Sequence, residues 1–176
     1  MEEEEVREVI SRYFKQINKK AIPRKGAGPD FLCEGVAVET KPTNLDFERA
    51  FDQYANYALQ YAGLWIVLPE DALDTRSLFR LYLMDRVLSE KHSRQVKLYV
   101  VAKQTENEYF VREFSIKDLF LEVIPKIADS FSSQHQIQPA EAIQEIISRL
   151  SDPDTEIRST ISKMVKDHYL STKISL

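Results

Sequence analysis

The sequence predicts an α/β domain, a central mixed β-sheet flanked by helices, with a helical hairpin at its C-terminal end. Two apolar segments, Phe31–Cys33 and Val36–Val38, flank a two-residue Glu-Gly turn, which is typical of a β-hairpin. An uninterrupted apolar segment at 64–68 predicts a strand that is buried on both faces, and the segment at 96–102 predicts another central strand. Amphipathic segments separate these strands, and the resulting order α-β-β-α-β-α-β-β favours helices on both faces of one sheet.

The helices are predicted from apolar periodicity and from capping residues. Between residues 2 and 20, apolar side chains recur at three- and four-residue steps, and acidic residues precede basic ones, as a helix dipole favours. Thr43 with Asp46 resembles a capping box for the second helix, and Asp74 or Thr75 caps the third. The predicted bounds are helices at 2–20, 43–62, 74–91 and from 115 onward, with a final strand, 109–114, at the sheet edge.

The last part of the chain has a different character. A polar stretch followed by proline, 130–138, precedes two amphipathic helices, 139–150 and 153–169. We therefore divide the chain into a core, 1–130, and a helical extension, 131–176. The two helices are predicted to form a hairpin that packs on the core or mediates a homodimer. A DNA-reading helix-turn-helix is less consistent with the sequence, because neither helix carries a concentrated basic face.

Composition limits the functions open to this chain of 176 residues. Its net charge of −4 at pH 7 is not that of a protein that wraps nucleic acid, although an enzyme with a local basic rim is compatible with it. The single cysteine, Cys33, lies in a predicted strand, so no disulfide and a reducing compartment are expected. The acidic start and the lack of a long apolar run predict a cytoplasmic protein without a membrane segment. The scattered His92, His135 and His168 predict no zinc site.

Charged residues converge at one end of the predicted hairpin. Asp30 enters its first strand, while Glu39 and Lys41 end the second and share a face, with Thr40 on the other. Two carboxylates and an ammonium at the end of a buried hairpin are costly unless a metal ion or each other compensates them. This cluster is the candidate functional site.

These residues resemble a known motif. Pro29-Asp30, followed by Glu39-Thr40-Lys41 on the next strand, is similar to the PD-(D/E)xK motif of the restriction-endonuclease-like nuclease superfamily. The resemblance covers roughly the first hundred residues and takes its strength from context, a hairpin before, a helix after and an apolar strand after that. It implies a restriction-endonuclease-like core and a metal-dependent nuclease that acts on nucleic acid, most simply DNA.

A second motif lies on the following helix, where Gln53 and Tyr57 share one face and resemble the Q-x-x-x-Y pattern of RecB-type exonucleases. The alternative is that Gln53 and Tyr57 have no functional role and belong to an exposed polar face with one half-buried tyrosine. The resemblance implies that they position the scissile phosphate or the strand. No first-helix histidine of the kind common in RecB-type enzymes is present, which leaves the subfamily open.

The resemblance also implies a division of labour in the site. Asp30 and Glu39 would hold one or two Mg²⁺ or Mn²⁺ ions, with the backbone carbonyl of Thr40 as a further ligand. Lys41 would orient the attacking water and help to deprotonate it, or offset charge in the transition state. In this superfamily a first-helix glutamate sometimes joins the metal site, and Glu8 is the candidate here, with a solvated or dipole-favoured glutamate as the alternative.

A basic stretch leads into Asp30. It contains no acid between residues 15 and 28, and it predicts either a phosphate-contacting rim or a solvated loop. The candidate nucleic-acid-binding residues are Lys19, Lys20, Arg24 and Lys25.

Two other interpretations of the cluster remain open. The chain could be a catalytically inactive nuclease-fold subunit for DNA binding or assembly, which its acidic net charge and helical extension favour. Alternatively, Asp30 and Lys41 could form a structural ion pair, which leaves the negative charge of Glu39 unexplained.

Overall fold

A single mixed sheet organises the chain in the computed structural model, which describes residues 1–123, 125, 155–167 and 171–176. Its seven strands lie side by side in the order of the sequence. The strands are β1 Ala21–Pro23, β2 Phe31–Cys33, β3 Val36–Thr40, β4 Gly63–Pro69, β5 Gln95–Lys103, β6 Glu108–Phe114 and β7 Thr172–Ser175. β3, β4 and β5 are parallel, and the remaining pairs are antiparallel. The predicted mixed sheet is therefore confirmed.

Helices cover both faces of this sheet, as predicted. In the described residues they are α1 Glu3–Gln16, α2 Phe47–Gln60, α3 Thr75–His92, α4 over 116–123 and α5 Thr155–Val165, with a 3-10 turn at Glu70–Ala72. α1 packs on the face formed by Val38, Trp65 and Tyr99. The other four helices share the opposite core, to which the alternate strand residues Ala37 and Ile66 belong. None of the helices in the described ranges is long and apolar enough to cross a membrane.

The β2–β3 hairpin forms where the sequence predicts it. Phe31 pairs with Val38 and Cys33 with Val36, around a turn at Glu34 and Gly35. Both turn residues have positive φ, 53° and 83°, as a two-residue hairpin turn of the I′ type requires. The register of this turn fixes which residues stand opposite each other at the far end of the hairpin.

The predicted cap of α3, Asp74, is present, and the predicted cap of α2 is wrong. The carboxylates of Asp46 and Asp74 accept hydrogen bonds from the third residue of α2 and α3, and the Ser115 hydroxyl accepts one from the backbone of α4. Thr43 does not cap α2. Its Oγ1 instead accepts a hydrogen bond from the Met1 amine at 2.6 Å and donates to Asp71 at 2.9 Å.

The two outermost strands were not predicted, and the placement of β6 at the sheet edge is wrong. β7 covers β6, with Ile174 opposite Tyr109 and buried in the core under α1. Both β1 and β7 are too short, at three and four residues, to produce a readable apolar pattern. At the other edge, β1 occupies the middle of the basic stretch.

Only part of the predicted C-terminal hairpin can be compared with the structure. The polar stretch at 130–138 and the helix at 139–150 lie outside the described residues. α5 falls within the predicted helix at 153–169, and its Ile161 and Val165 are fully buried in the same core as residues of α2 and α3. This helix therefore packs on the core.

Candidate active site

The sheet topology brings Asp30, Glu39 and Lys41 together at the carboxyl ends of the parallel strands. Parallel β3, β4 and β5 have their carboxyl ends at the same edge, the usual place for ligands in open α/β sheets. The Phe31–Val38 pair places Asp30 opposite Glu39 just beyond it, at that edge. Lys41 stays close to the sheet, because its backbone N–H donates to the Val67 carbonyl at 3.1 Å.

Asp30 has a donor on each carboxylate oxygen. Its Oδ2 accepts hydrogen bonds from the Thr40 backbone N–H at 2.8 Å and from Thr40 Oγ1 at 2.5 Å. Its Oδ1 is paired with the guanidinium of Arg7, which reaches the site from α1. Thr40 thus contributes its N–H and hydroxyl to the site, in addition to the carbonyl predicted as a metal ligand.

Glu39 is the least satisfied charged residue of the site. Its side chain is 4% exposed, and its Oε1 lies 2.5 Å from Lys41 Nζ. Its Oε2 is buried without a hydrogen-bond partner among the described residues. Burial raises the pKa of Glu39 to about 7, and the charge of Asp30 adds to this. The hydrogen bond and charge of Lys41 oppose it, as does the backbone N–H of Asp30. The Glu39 carboxyl therefore holds a proton more readily than an exposed glutamate does.

Arg7 is a site residue that the sequence analysis missed. In sequence it belongs to an ordinary helical charge pattern, with Glu3 and Glu4 one turn earlier at 3.8 and 3.6 Å. Burial alone would lower the pKa of Arg7, but its hydrogen bond and charge interaction with Asp30 outweigh burial and raise it. The feature that marks Arg7 as a site residue is its ion pair with Asp30, and no local sequence pattern indicates that contact.

The pairing differs from the predicted structural ion pair. Lys41 forms an ion pair with Glu39 rather than with Asp30, and Asp30 forms its ion pair with Arg7. The excess negative charge attributed to Glu39 is therefore matched, since two carboxyls face two basic groups. What remains unexplained is the vacant oxygen of Glu39.

α2 presents two tyrosines to the site. Gln53 Nε2 donates to Tyr57 Oη at 3.0 Å, so the predicted pair is in contact. Burial and the negative charge of Glu39 raise the pKa of Tyr57, which Gln53 and Lys41 partly offset. Tyr54, one turn before Tyr57 on α2, is fully buried, with no partner for its hydroxyl among the side chains and backbone that the structure describes. Burial and the charges of Glu39, Asp30 and Glu3 raise the pKa of Tyr54.

The predicted first-helix glutamate, Glu8, forms its ion pair with Arg12 and not with a residue of this charge network. Glu8 accepts a hydrogen bond from Arg12 at 2.8 Å and has a side chain that is 54% exposed. It lines a groove of about 460 Å³ together with Arg7 and Phe31. Its role in metal binding stays a prediction, and Glu3 is the α1 acid whose charge acts on Tyr54.

The predicted basic rim is divided by β1. Lys19 Nζ lies 4.2 Å from the centroid of the Trp65 ring, at the end of β1 where Ala21 pairs with Cys33. Arg24 follows the other end, and its backbone N–H donates to the Asp30 carbonyl at 2.8 Å. Lys20, Arg24 and Lys25 are exposed. Two glycines with positive φ, at residues 26 and 28, turn this loop back toward Asp30.

The site fits a hard divalent cation under one condition. Within the described part of the chain, no three His, Cys, Asp or Glu side chains form a group that could hold a metal ion. Mg²⁺ does not need three, because it binds through one or two carboxylates and keeps several waters. The vacant Oε2 of Glu39 and the adjacent Asp30 supply such a set. The condition is that Arg7 leaves Asp30 Oδ1.

The chain matches no protein-family model, no curated protein and no solved structure. The resemblance to the restriction-endonuclease-like superfamily therefore rests on the motif residues of this chain alone. The fold that is shown is an α/β domain with a seven-stranded mixed sheet flanked by helices.

Proposed function

We propose that this protein is a Mg²⁺- or Mn²⁺-dependent nuclease that hydrolyses phosphodiester bonds of nucleic acid, most simply DNA. The observation that supports it best is the buried carboxyl of Glu39, with one oxygen unpartnered, beside Asp30 and Lys41 at the carboxyl edge of the sheet. A buried polar atom without a partner costs free energy, and a bound cation would remove that cost.

Each residue of the site has a role in this proposal. Asp30, Glu39 and the Thr40 carbonyl would hold the cation, which would supply a water of lowered pKa and polarise the phosphate. Lys41 Nζ, within hydrogen-bonding distance of Glu39, lies where it can orient that water and offset negative charge in the transition state.

Tyr57 and Gln53 fit a substrate-positioning role. Because Gln53 donates to the Tyr57 oxygen, the hydroxyl hydrogen of Tyr57 stays available to a phosphate oxygen. Arg24 and Lys25 follow the edge strand and precede Asp30, so phosphates on either side of the scissile one would lie near them. The proposed location is the cytoplasm, since the only cysteine is free and buried. The proposed homodimer would form through the C-terminal helices.

A second function is favoured by one specific observation. Arg7 and Lys41 balance both carboxyls with groups of the chain itself, so the site can be electrically neutral without any metal. That arrangement also suits a nuclease-fold subunit that binds DNA or assembles with partners without cleaving.

A cleavage assay with Mg²⁺ or Mn²⁺ separates the two functions. Wild type, Glu39→Gln and the control Glu113→Gln would be tested on single-stranded, duplex and branched DNA and on RNA. We expect cleavage by wild type and the control, and a loss of about 10³-fold or more in Glu39→Gln, since this removes a metal ligand. Lack of cleavage together with lack of metal binding by wild type would favour the non-cleaving subunit.

A further inference from the structure

Arg7 occupies the place beside Asp30 that a metal ion would need. Thr40 donates hydrogen bonds from its N–H and its hydroxyl to Oδ2 of Asp30, and the Arg7 guanidinium donates one to Oδ1. With Asp30 only 9% exposed, a second cation cannot approach it freely from solvent. In this state one basic side chain neutralises a carboxylate that the proposed function assigns to a metal.

Arg7 is nonetheless not locked in this position. Its Nε is buried without a hydrogen-bond partner among the described residues, although its side chain is 36% exposed overall. Glu3 and Glu4, one turn earlier on α1, already lie 3.8 and 3.6 Å from the guanidinium, so Arg7 keeps two anionic partners if it leaves Asp30. The 460 Å³ groove that Arg7 lines with Glu4 gives the side chain room to move.

We propose that Arg7 competes with the divalent cation for Asp30, neutralising Asp30 while the metal is absent and keeping only Glu3 and Glu4 as partners when the metal binds. This inference rests on the proposed function for the identity of the cation. Metal affinity is then set partly by the free energy of breaking the Arg7–Asp30 pair. The exchange also makes α1 respond to metal loading, because its charge pairs change.

The competition depends on a direct contact and not on net charge, which defines the variants. Arg7→Gln removes both the contact and one positive charge. Arg7→Lys keeps the charge but loses the planar guanidinium fork that matches a carboxylate. Arg86→Gln removes one positive charge from α3, where Arg86 pairs with Glu90, and so controls for net charge.

The experiment is calorimetric titration of Mn²⁺ and Mg²⁺ into the full chain without nucleic acid. We expect Arg7→Gln to bind either ion about tenfold more tightly than wild type, because a charge-assisted pair no longer has to be broken. Arg7→Lys should be intermediate and Arg86→Gln unchanged. Equal or weaker binding by Arg7→Gln overturns the inference. Thermal unfolding in EDTA checks that each variant is folded, and Arg7→Lys keeps the test decisive if Arg7→Gln is not.

Failure of this inference can be told apart from failure of the proposed function. If wild type binds Mn²⁺, Glu39→Gln does not, and Arg7→Gln binds no more tightly, only the competition is wrong. If neither wild type nor Arg7→Gln binds either ion, the proposed function fails, and the inference fails with it. A second readout is the Arg7 Nε–H signal in ¹H–¹⁵N spectra, which should shift on Mg²⁺ addition to wild type. An unmoved signal at saturating metal would contradict the exchange.

Discussion

Two glutamate–lysine ion pairs on this sheet have the same N···O distance, but the pKa values of their carboxyls are shifted in opposite directions. In the hairpin cluster (Asp30, Glu39, Lys41 and Arg7), Glu39 Oε1 lies 2.5 Å from Lys41 Nζ. In the Glu113 cluster (Glu113, Lys97, Tyr99, Lys19 and Trp65), Glu113 Oε1 also lies 2.5 Å from a lysine, Lys97. The pKa of Glu39 is raised, whereas burial of Glu113 is outweighed by its hydrogen bonds from Lys97 and Tyr99, so its pKa is lowered.

The difference lies in burial and in the second oxygen. Glu113 is 35% exposed, and its other oxygen accepts a hydrogen bond from Tyr99 Oη at 2.7 Å. Glu39 is 4% exposed, and its other oxygen has no partner in the described structure. An ion-pair distance alone therefore does not separate a structural pair from a candidate site. A buried carboxyl with unused bonding capacity does, because the fold bears a free-energy cost that a ligand can remove.

The largest expected effect on stability comes from Glu39→Gln. A folded-state pKa raised from 4.5 to about 7 means that the native state holds a proton that the unfolded chain releases over this range. The contribution of Glu39 to the free energy of unfolding is therefore largest below pH 4.5, falls as the pH rises toward 7 and is constant above pH 7. Glu39→Gln escapes this loss and should be more stable than wild type at pH 8 by about 3 kcal/mol, with little difference at pH 4.5.

Urea unfolding in EDTA at both pH values measures this effect. The matched control, Glu113→Gln, should destabilise at pH 8, because a lowered carboxyl pKa stabilises the native state above the unfolded value and that contribution is lost as pH falls. If Glu39→Gln were the less stable of the two at pH 8, the contrast between the clusters would be wrong.

The next effect is on metal affinity. If Glu39 is a metal ligand, binding must displace its proton below pH 7. The Mg²⁺ association constant should rise about tenfold per pH unit up to pH 7 and then level off, with proton release visible when buffers of different ionisation enthalpy are compared. Titration calorimetry from pH 5 to 8 tests this, and an affinity that is flat over the range would remove Glu39 from the metal site.

A smaller effect distinguishes two buried tyrosines. Tyr99→Phe removes the donor to Glu113 Oε2 and should destabilise by roughly 1–3 kcal/mol, because it leaves a carboxylate oxygen unpaired. Tyr54→Phe removes a buried hydroxyl that has no partner among the described residues, so it should be neutral or slightly stabilising. Unfolding midpoints of the two variants measure the difference. An equal loss in both would mean that the Tyr54 hydroxyl has a partner in solution.

The contrast between the clusters also explains which features could be predicted from sequence. The hairpin, the apolar strands and the cap Asp74 follow from local patterns, and so does the convergence of Asp30, Glu39 and Lys41. Strand alternation and turn register are short-range rules, and they suffice for residues in one hairpin.

Arg7, Tyr54 and β7 required long-range information. Arg7 and Asp30 are 23 residues apart, and an acidic helix turn followed by arginine has an ordinary helical explanation. Tyr54 lies in a stripe of core aromatics, where only its unpartnered hydroxyl marks it. β7 pairs with β6 across some sixty residues of sequence, and its four residues carry too little pattern to predict a strand.

The smallest effect concerns which lysines contact nucleic acid. Lys19 belongs to the Glu113 cluster, since it lies over the Trp65 ring and its charge helps to lower the pKa of Glu113, after the larger contributions of burial, Lys97 and Tyr99. Lys25 is exposed in the loop that leads to Asp30. If phosphates bind at the hairpin cluster, Lys25→Gln should reduce the salt slope of DNA binding by about 0.9, and Lys19→Gln should not change it.

Fluorescence anisotropy with a labelled duplex at several salt concentrations, with Ca²⁺ in place of Mg²⁺ to limit cleavage, measures both slopes. A reduction of similar size in both variants would support the continuous basic rim that the sequence predicts, with phosphates contacted at both ends of β1. A reduction only in Lys19→Gln would place the nucleic acid over the Glu113 cluster, away from Asp30, and would separate DNA binding from the candidate active site. The two lysines are matched in chemistry and differ in their surroundings, so the slopes report position rather than charge.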